Sequence, residues 1–159
     1  MCKSFVLVLQ LNHVKYNRWA EVYSGRLDKW IHCDSCEGPS TIDSPLMYEQ
    51  GWGKKLSYII AVGADHVVDV TQKYTRDFND VLQRRLMLRE DELREIVKDC
   101  DRIQRQKRFG SRFTHDRLVK EQLDIFYSFE SDLHLKESEI QGRISGDKTW
   151  KRLRGEDGK

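Results

Sequence analysis

The chain has 159 residues, of which 34% are charged and 38% hydrophobic, and its 28 basic and 26 acidic side chains give a formal net charge of +2. This length suits one domain with a hydrophobic core, and the near balance of charge argues against a nucleic-acid binder. The four cysteines lack the dense spacing of a disulfide-stapled secreted domain, which favours a reducing, cytoplasmic setting. The apolar run over residues 5–11 is too short to span a bilayer, so we expect no membrane segment.

Short runs of β-forming residues, separated by turn residues, fill the first half of the chain. They predict five strands, over residues 5–14, 19–23, 29–32, 57–62 and 66–70. The sequence SGRLD supplies the turn after the second strand, and GAD supplies the turn between the last two. In WIHCDSCE, side chains alternate between the faces of a strand, so we expect Trp30, His32 and Asp34 to share one face.

After Thr71 the hydrophobic residues recur at helical spacing. A short helix is expected over about residues 76–88. A longer one is marked by Leu93, Ile96, Val97, Cys100 and Ile103, and a third, beyond Gly110, by Leu118, Ile125, Phe126, Phe129 and Leu133. The final stretch, GRISGDKTWKRLRGEDGK, is rich in glycine and charge and predicts an irregular tail.

One set of residues has the types that a hydrolytic site requires. A Cys-His-Asp site needs a thiolate, an imidazole that takes and returns its proton, and a carboxylate that orients the imidazole. His13 precedes one predicted strand and Asp34 follows another. On an antiparallel sheet two such residues can face the same side, so the pattern permits this chemistry without establishing it.

Five segments match a known family in the same order. They are WAEVYS, KWIHCDSCE, PLMYEQGWGKKLSYIIAV, VVDVTQKYT and GRISGDKTWKRLRGE. Together they resemble the C-terminal half of cytoplasmic peptide:N-glycanase, from about residue 12 to 74 and again from Gly142. The resemblance implies an α+β fold, with a transglutaminase-like (papain-like) antiparallel sheet fragment followed by a helical C-terminal region. It divides the chain into the C-terminal part of that core (1–75), a helical region (76–140) and a Gly/charge-rich tail (141–159).

The resemblance also implies a reaction, the amide hydrolysis that releases N-linked glycans from misfolded glycoproteins by a Cys-His-Asp mechanism. Asp34 falls on the position of the family's orienting aspartate, and Glu37 on that of a glutamate that contacts the chitobiose core. Trp19, Glu21 and Trp30 fall on positions that line or support the substrate cleft. The implied partners are misfolded N-glycoproteins and proteasome-shuttle proteins, with neither nucleic acid nor membrane among them.

The family's histidine directly precedes Val-Trp, whereas residues 15–18 here separate His13-Val14 from Trp19. In an alignment without a gap, Asn17 takes the histidine's place, and asparagine cannot act as a general base. With a four-residue insertion, His13 keeps its sequence neighbours. We favour the insertion, which makes His13 the expected base and requires a bulge or loop after it.

The family's nucleophilic cysteine lies well upstream of the histidine, and no cysteine of this chain resembles it. Cys2 is too close to His13 and precedes a strand. We therefore expect an N-terminally truncated fragment that lacks the nucleophile and is inactive alone. The family's structural zinc site also lies upstream, so no cofactor is expected, and the lone Cys33-x-x-Cys36 is weak evidence for a metal.

Alternatives from other classes remain. The chain could be a non-catalytic remnant that binds N-glycans or partner proteins, or a helical interaction module built on residues 90–135. His32 could itself be catalytic, although a histidine beside a tryptophan on a strand is more often structural. The basic residues between Arg102 and Arg112 follow an acidic stretch on the same predicted helix, which favours a solvated face over a nucleic-acid site.

Overall fold

A computed structural model describes residues 5–11, 17–64, 66–109 and 135–158 of the chain. The strands in these ranges are β1 (Phe5–Leu11), β2 (Asn17–Ser24), β3 (Lys29–Cys33), β4 (Tyr58–Gly63) and β5 (Val67–Asp69). The α-helices are α1 (Phe78–Arg84), α2 (Glu90–Phe109), α3 (Glu137–Ile140) and α4 (Lys148–Arg154). Short 3-10 helices at Pro39–Thr41, Pro45–Met47 and Thr71–Tyr74 lie in the connections.

The five strands form one antiparallel sheet in the order β3-β2-β1-β4-β5. All five predicted strands are present, and four of them differ from the predicted boundaries by one or two residues. Residues 12–14, the predicted end of the first strand, lie outside the described residues. In the register of β2 and β3, Ala20 lies opposite Cys33 and Glu21 opposite His32. The two sequence segments that carry most of the predicted site therefore lie side by side. The predicted α+β fold with an antiparallel sheet is confirmed.

An aromatic core covers one face of the sheet. Trp19, Trp30, Tyr48, Trp52 and Tyr74 are each at most 4% exposed. Trp19 stacks on Tyr48 with a centroid distance of 4.1 Å, and Tyr48 meets Trp52 edge-on at 4.9 Å. Stacked and edge-on pairs are the arrangements that the charge distribution of aromatic rings favours. Trp19 belongs to β2 and Trp30 to β3, so packing of these rings in one core fixes the two strands relative to each other.

Helix α2 packs against the edge strand β5. Leu93 of α2 is buried, and Asp101 accepts a hydrogen bond from the backbone N–H of Val67 at 3.0 Å. The preceding helix, α1, begins after Asp77, whose side chain accepts a bond from the N–H of Asp80 at 3.0 Å. This is the usual N-cap arrangement, which satisfies an otherwise unpaired donor of the first turn.

The first two predicted helices are present as α1 and α2, and the third, over residues 118–133, lies outside the described residues. Within the described ranges, no helix is long and apolar enough to cross a membrane.

The tail is more regular than its composition predicts. It contains α4, which begins after Asp147, where the carboxylate accepts a bond from the N–H of Trp150 at 2.7 Å. The helix ends at Gly155, which has a φ of 63° and so adopts the left-handed conformation that glycine allows. The prediction of an irregular tail is therefore wrong over this helix. Glu156, directly after it, is 0% exposed, so the tail is packed against the rest of the chain.

Candidate functional site

A cleft of about 690 Å³ lies beside β2 and the turn that follows β3. Three residues predicted to belong to the site line it, namely Trp19, Asp34 and Glu37. Much of its remaining surface comes from small or apolar side chains, including Ala20, Val22, Cys33, Pro39 and Ile42. A mostly apolar pocket with a few polar groups is the usual form of a small-ligand site.

The Asp34 carboxylate is held at both oxygens. Oδ1 accepts a hydrogen bond from the backbone N–H of Cys36 at 2.9 Å, as in an Asx turn. Oδ2 accepts one from the hydroxyl of Tyr48, also at 2.9 Å. A carboxylate with a fixed orientation can hold an imidazole in one tautomer, which is the role that the family resemblance predicts for Asp34.

His32 lies in the core and does not line the cleft. It is 0% exposed, and its Nε2 lies 2.9 Å from the Tyr48 hydroxyl oxygen. Burial, together with the positive charge of Lys73, lowers the pKa of His32 to about 3. A general base works best with a pKa near the operating pH, so this histidine is unsuited to that role. Its environment favours the structural interpretation over the catalytic one.

Trp19, Glu21 and Trp30 form a buried layer next to the cleft. The indole N–H of Trp19 donates to the Tyr74 hydroxyl at 2.7 Å, and Tyr74 donates to Glu21 at 2.5 Å. Lys73 pairs with the same Glu21 oxygen at 3.0 Å. Glu21 is 0% and Trp30 1% exposed, so of the three only Trp19 lines the cleft. Their part in substrate binding stays a prediction, and burial favours support over direct contact.

The Glu37 side chain is bonded to the tail. Its Oε1 lies 3.1 Å from Nε of Arg143, and the Ser145 hydroxyl donates to the same oxygen. Its Oε2 accepts bonds from the backbone N–H groups of Ile144 and Ser145 at 3.1 and 3.3 Å. A sugar hydroxyl that reached Glu37 would have to share an oxygen that is already bonded. The chitobiose contact of Glu37 stays a prediction, and its tail partners were missed from the sequence.

His13, the expected base, lies outside the described residues, as does Cys2. Strand β2 begins at Asn17, which alternation puts on the same face as Trp19 and Glu21. The Asn17 side-chain oxygen accepts a bond from the Arg154 guanidinium at 3.2 Å. The position that the gap-free alignment assigns to the histidine is therefore part of the strand. The role of His13 stays a prediction.

Of the cysteines that the structure describes, only Cys33 lines the cleft. Burial, and then the carboxylates of Asp43 and Glu21, raise the pKa of the Cys33 thiol, whereas a reactive cysteine needs a lowered pKa. Cys36 and Cys100 are exposed free thiols. No cluster of metal-binding side chains occurs among residues 17–64, 66–107 and 135–158.

Residues 12–123 match the family model of the Rad4 transglutaminase-like domain. Over 140 residues the chain is 42% identical to the peptide-N(4)-(N-acetyl-beta-glucosaminyl)asparagine amidase of Homo sapiens, covering 88% of this chain and 21% of that protein. The amidase of Arabidopsis thaliana is 37% identical over 147 residues, covering 88% and 19%. That of Saccharomyces cerevisiae is 34% identical over 182 residues, covering 99% and 47%.

The chain thus spans about a fifth of the length of the animal and plant relatives it matches, and about half of the yeast one. The predicted resemblance to peptide:N-glycanase is confirmed.

Proposed function

Because the chain belongs to the family of the Rad4 transglutaminase-like domain, we propose that it forms the aspartate-bearing part of an amidase site for N-linked glycans. The observation that carries this proposal is the Asp34 carboxylate, which lines the cleft and is held at both oxygens by Cys36 and Tyr48. The names of the relatives supply the linkage, an amide between N-acetylglucosamine and asparagine. Its hydrolysis releases the glycan and leaves aspartate.

Each residue has a defined part in the proposed reaction. A cysteine thiolate attacks the side-chain amide carbon, the glycosylamine leaves with a proton from the histidine, and water then hydrolyses the thioester. His13 is the proposed histidine, and Asp34 orients it and stabilises its charged form. Trp19 forms one wall of the cleft, and Glu37 lies at its edge toward the tail. The proposed substrates are misfolded N-glycoproteins in the cytoplasm, with proteasome-shuttle proteins as further partners.

The nucleophile is proposed to lie outside the described residues. Cys33 is the one thiol among them that lines the cleft, and its raised pKa keeps it protonated at neutral pH. Cys2 has the wrong sequence neighbours for the family's nucleophile. The chain alone is therefore proposed to bind the glycosylated asparagine without cleaving it.

Two measurements test this function. A denatured high-mannose glycoprotein is incubated with the chain, and mass spectrometry follows free glycan and the conversion of asparagine to aspartate. Calorimetry measures the binding of a chitobiosyl-asparagine peptide, with the sugar-free peptide as the control. We expect saturable binding of the glycopeptide only, and no glycan release. Turnover abolished by Cys2→Ala would assign the nucleophile to this chain, and a failure to bind the glycopeptide would contradict the glycan site.

A non-catalytic remnant that binds glycans or proteins is the second candidate, and the presence of Asn17 on β2 favours it. The transcript separates the two functions. A message that reads His-Val-Trp without the codons for residues 15–18, and that encodes a cysteine helix upstream of Met1, supports the amidase. A message without a cysteine helix upstream of Met1, together with glycopeptide binding that is lost in Glu37→Ala, supports the remnant.

A further inference from the structure

We propose that Tyr48 is a positioning residue for Asp34, and that His32 sets the direction in which the Tyr48 hydroxyl donates. Tyr48 bonds to both residues, at 2.9 Å to Asp34 Oδ2 and at 2.9 Å to His32 Nε2. The role of Asp34 as the carboxylate that orients the catalytic histidine is taken from the proposed function. The chain of hydrogen bonds can be tested without any substrate.

The position of the Tyr48 hydroxyl is fixed by the ring that carries it. Tyr48 is 0% exposed and stacks on Trp19 with an interplanar angle of 22°. Trp52 meets the ring edge-on at 4.9 Å, and His32 does so at 5.4 Å. Neighbours on its face and edges leave a close-packed ring little room to move. The hydroxyl therefore acts as a stationary donor at the base of the site.

The direction of donation follows from a count of protons. Tyr48 carries one hydroxyl proton, and an ionised Asp34 can only accept. If the proton pointed at His32, the oxygens of Tyr48 and Asp34 would face each other as two acceptors at 2.9 Å. Donation to the carboxylate avoids this and gains a charge-assisted bond. His32 must then carry its proton on Nε2 and donate it to Tyr48.

The protonation states of both aromatic residues agree with this direction. Burial, reinforced by the charge of Asp34, raises the pKa of Tyr48 well above its ordinary value, so the phenol keeps its proton. The pKa of His32 is about 3, so its ring is neutral and carries a single N–H. The Thr41 backbone acts in the opposite direction and raises the pKa of His32, but Nδ1 has no hydrogen-bond partner among the described residues.

The consequence for Asp34 is a carboxylate that cannot rotate freely. The Cys36 N–H holds one oxygen and the Tyr48 hydroxyl the other, and each oxygen keeps a second lone pair. Since Asp34 lines the cleft, a remaining lone pair can accept an imidazole N–H. Tyr48 thus acts through Asp34 and has no need to touch the substrate.

The first test is a measurement on the unaltered chain. Long-range ¹H–¹⁵N correlation spectra of the ¹⁵N-labelled protein at neutral pH report which nitrogen of His32 carries the proton. We expect the Nε2–H tautomer. The Nδ1–H tautomer, or a doubly protonated ring, would overturn the proposal without the use of any variant.

The second test compares two buried tyrosines of the same aromatic core. Tyr48→Phe removes the hydroxyl that bonds to Asp34, whereas Tyr74→Phe removes one that bonds to Glu21 and Trp19. We expect Tyr48→Phe alone to shift the Asp34 carboxylate ¹³C resonance and the His32 ring nitrogens. Equal shifts in both variants would reduce Tyr48 to an ordinary packing residue.

A third measurement separates this proposal from the function on which it draws. The chitobiosyl-asparagine peptide is added to the unaltered chain, and the Asp34 carboxylate resonance is followed. If no resonance moves while His32 shows the Nε2–H tautomer, the glycan site fails and the hydrogen-bond chain stands. If the peptide shifts Asp34 but His32 carries its proton on Nδ1, the site stands and the positioning role of Tyr48 fails.

Discussion

His32 and Asp34 are two positions apart in WIHCD, yet one is sealed in the core and the other lines the cleft. Strand β3 ends at Cys33, and the turn that follows carries Asp34 to the edge of the sheet. Tyr48 bonds to both side chains and so joins the buried residue to the accessible one. At the scale of single residues, burial decides which of two neighbouring ionisable groups can meet a ligand.

The buried His32 predicts a dependence of stability on pH. Its pKa is about 3 in the folded chain against an ordinary 6.5, so below pH 6.5 the unfolded chain binds a proton that the folded chain does not. Stability is therefore lost as the pH falls from about 6.5 toward 3. At pH 5 the loss from this one group is about 2 kcal/mol. Urea unfolding at pH 7.5 and pH 5 measures it.

The control for this prediction is His32→Gln, which keeps a side-chain N–H donor but does not titrate. We expect the variant to be less stable at pH 7.5 but to lose less free energy of unfolding between the two pH values. Equal losses in the two proteins would show that His32 is not the source of the pH dependence.

The elements of the tail hold both sides of the site. Arg154 of α4 bonds to Asn17 at the start of β2, and Arg143 bonds to Glu37 in the turn after β3. The buried carboxylate of Glu156 connects the two arginines, because both bond to it. Lys54 bonds to the same carboxylate. Burial alone would raise the pKa of Glu156, but the bonds from the three cations outweigh it and lower that pKa.

Removal of the Glu156 charge should destabilise the chain strongly. Glu156→Gln leaves three poorly exposed cations without their carboxylate, and the loss of one partner from a buried ion pair costs about 3 kcal/mol. The neighbouring Asp157→Asn is the matched control, because that side chain is 47% exposed and 3.9 Å from Arg152. We expect a change within about 0.5 kcal/mol for the control in chemical denaturation. Similar costs for both variants would contradict the role of Glu156.

Because the folded-state pKa of Glu156 is lowered, its contribution to stability is present above about pH 4.5 and is lost as acid protonates it. The destabilising effect of Glu156→Gln should therefore shrink below that pH. Denaturation of the variant and the unaltered chain at pH 7 and pH 3.5 checks this, and a constant difference would contradict it.

Packing of α2 against β5 gives a further prediction at this scale. Leu93 is 7% exposed, while Ile96, one turn further along the same helix, is 47% exposed. Leu93→Ala should lower the free energy of unfolding by about 2–3 kcal/mol, because it leaves a cavity against the sheet. Ile96→Ala should change it by less than about 1 kcal/mol. Thermal unfolding compares the two, and an equal effect would show that α2 does not pack through Leu93.

The elements differed in how far the sequence could predict them. The β3 segment alternates between buried and half-buried residues, so its strand and its buried face were predicted from WIHC. Helix α4 was missed because glycine and charge dominate the tail, although Asp147 and Gly155 are ordinary start and stop signals.

The site was harder to predict than the elements. Tyr48 lies in a loop without a periodic pattern, 14 positions from Asp34. Glu37 and Arg143 are 106 positions apart, a separation at which no local pattern predicts a contact. The resemblance identified Asp34 and Glu37 as candidate site residues. It did not predict that Tyr48 and Arg143 bond to their carboxylates.

On the scale of the whole molecule, the stretch YEQGWGK joins sheet, site and tail. Tyr48 bonds to Asp34, and Lys54 bonds to Glu156. Between them in sequence, the Trp52 ring has its centroid 4.8 Å from the guanidinium carbon of Arg143. Gly51 lies in the same stretch, and the backbone at Glu139 and Gln141 lies close to its Cα. A Cβ at that position would come within 2.3 Å of the Gln141 carbonyl oxygen and 2.9 Å of that of Glu139.

Gly51→Ala should therefore push the tail away from the rest of the chain. Backbone atoms cannot yield as a flexible side chain can, and such overpacking costs about 1–3 kcal/mol. We expect faster proteolytic cleavage after the tail residues Arg143 and Arg154 in the variant. Gly25→Ala is the matched control, because no atom lies within 4 Å of a Cβ built there. Equal cleavage rates in both variants would show that close packing at Gly51 does not hold the tail.

The sequence separation within the cluster around Glu156 predicts that its ion pairs form late in folding. The Lys54–Glu156 pair joins positions 102 apart, and closing so long a loop costs entropy before any contact repays it. Sheet pairings between neighbouring strands span shorter loops and can form earlier. The ion pairs should therefore form after the folding transition state, so Glu156→Gln should accelerate unfolding far more than it slows refolding. The tail should then slow the unfolding of the folded site and have little influence on its rate of folding.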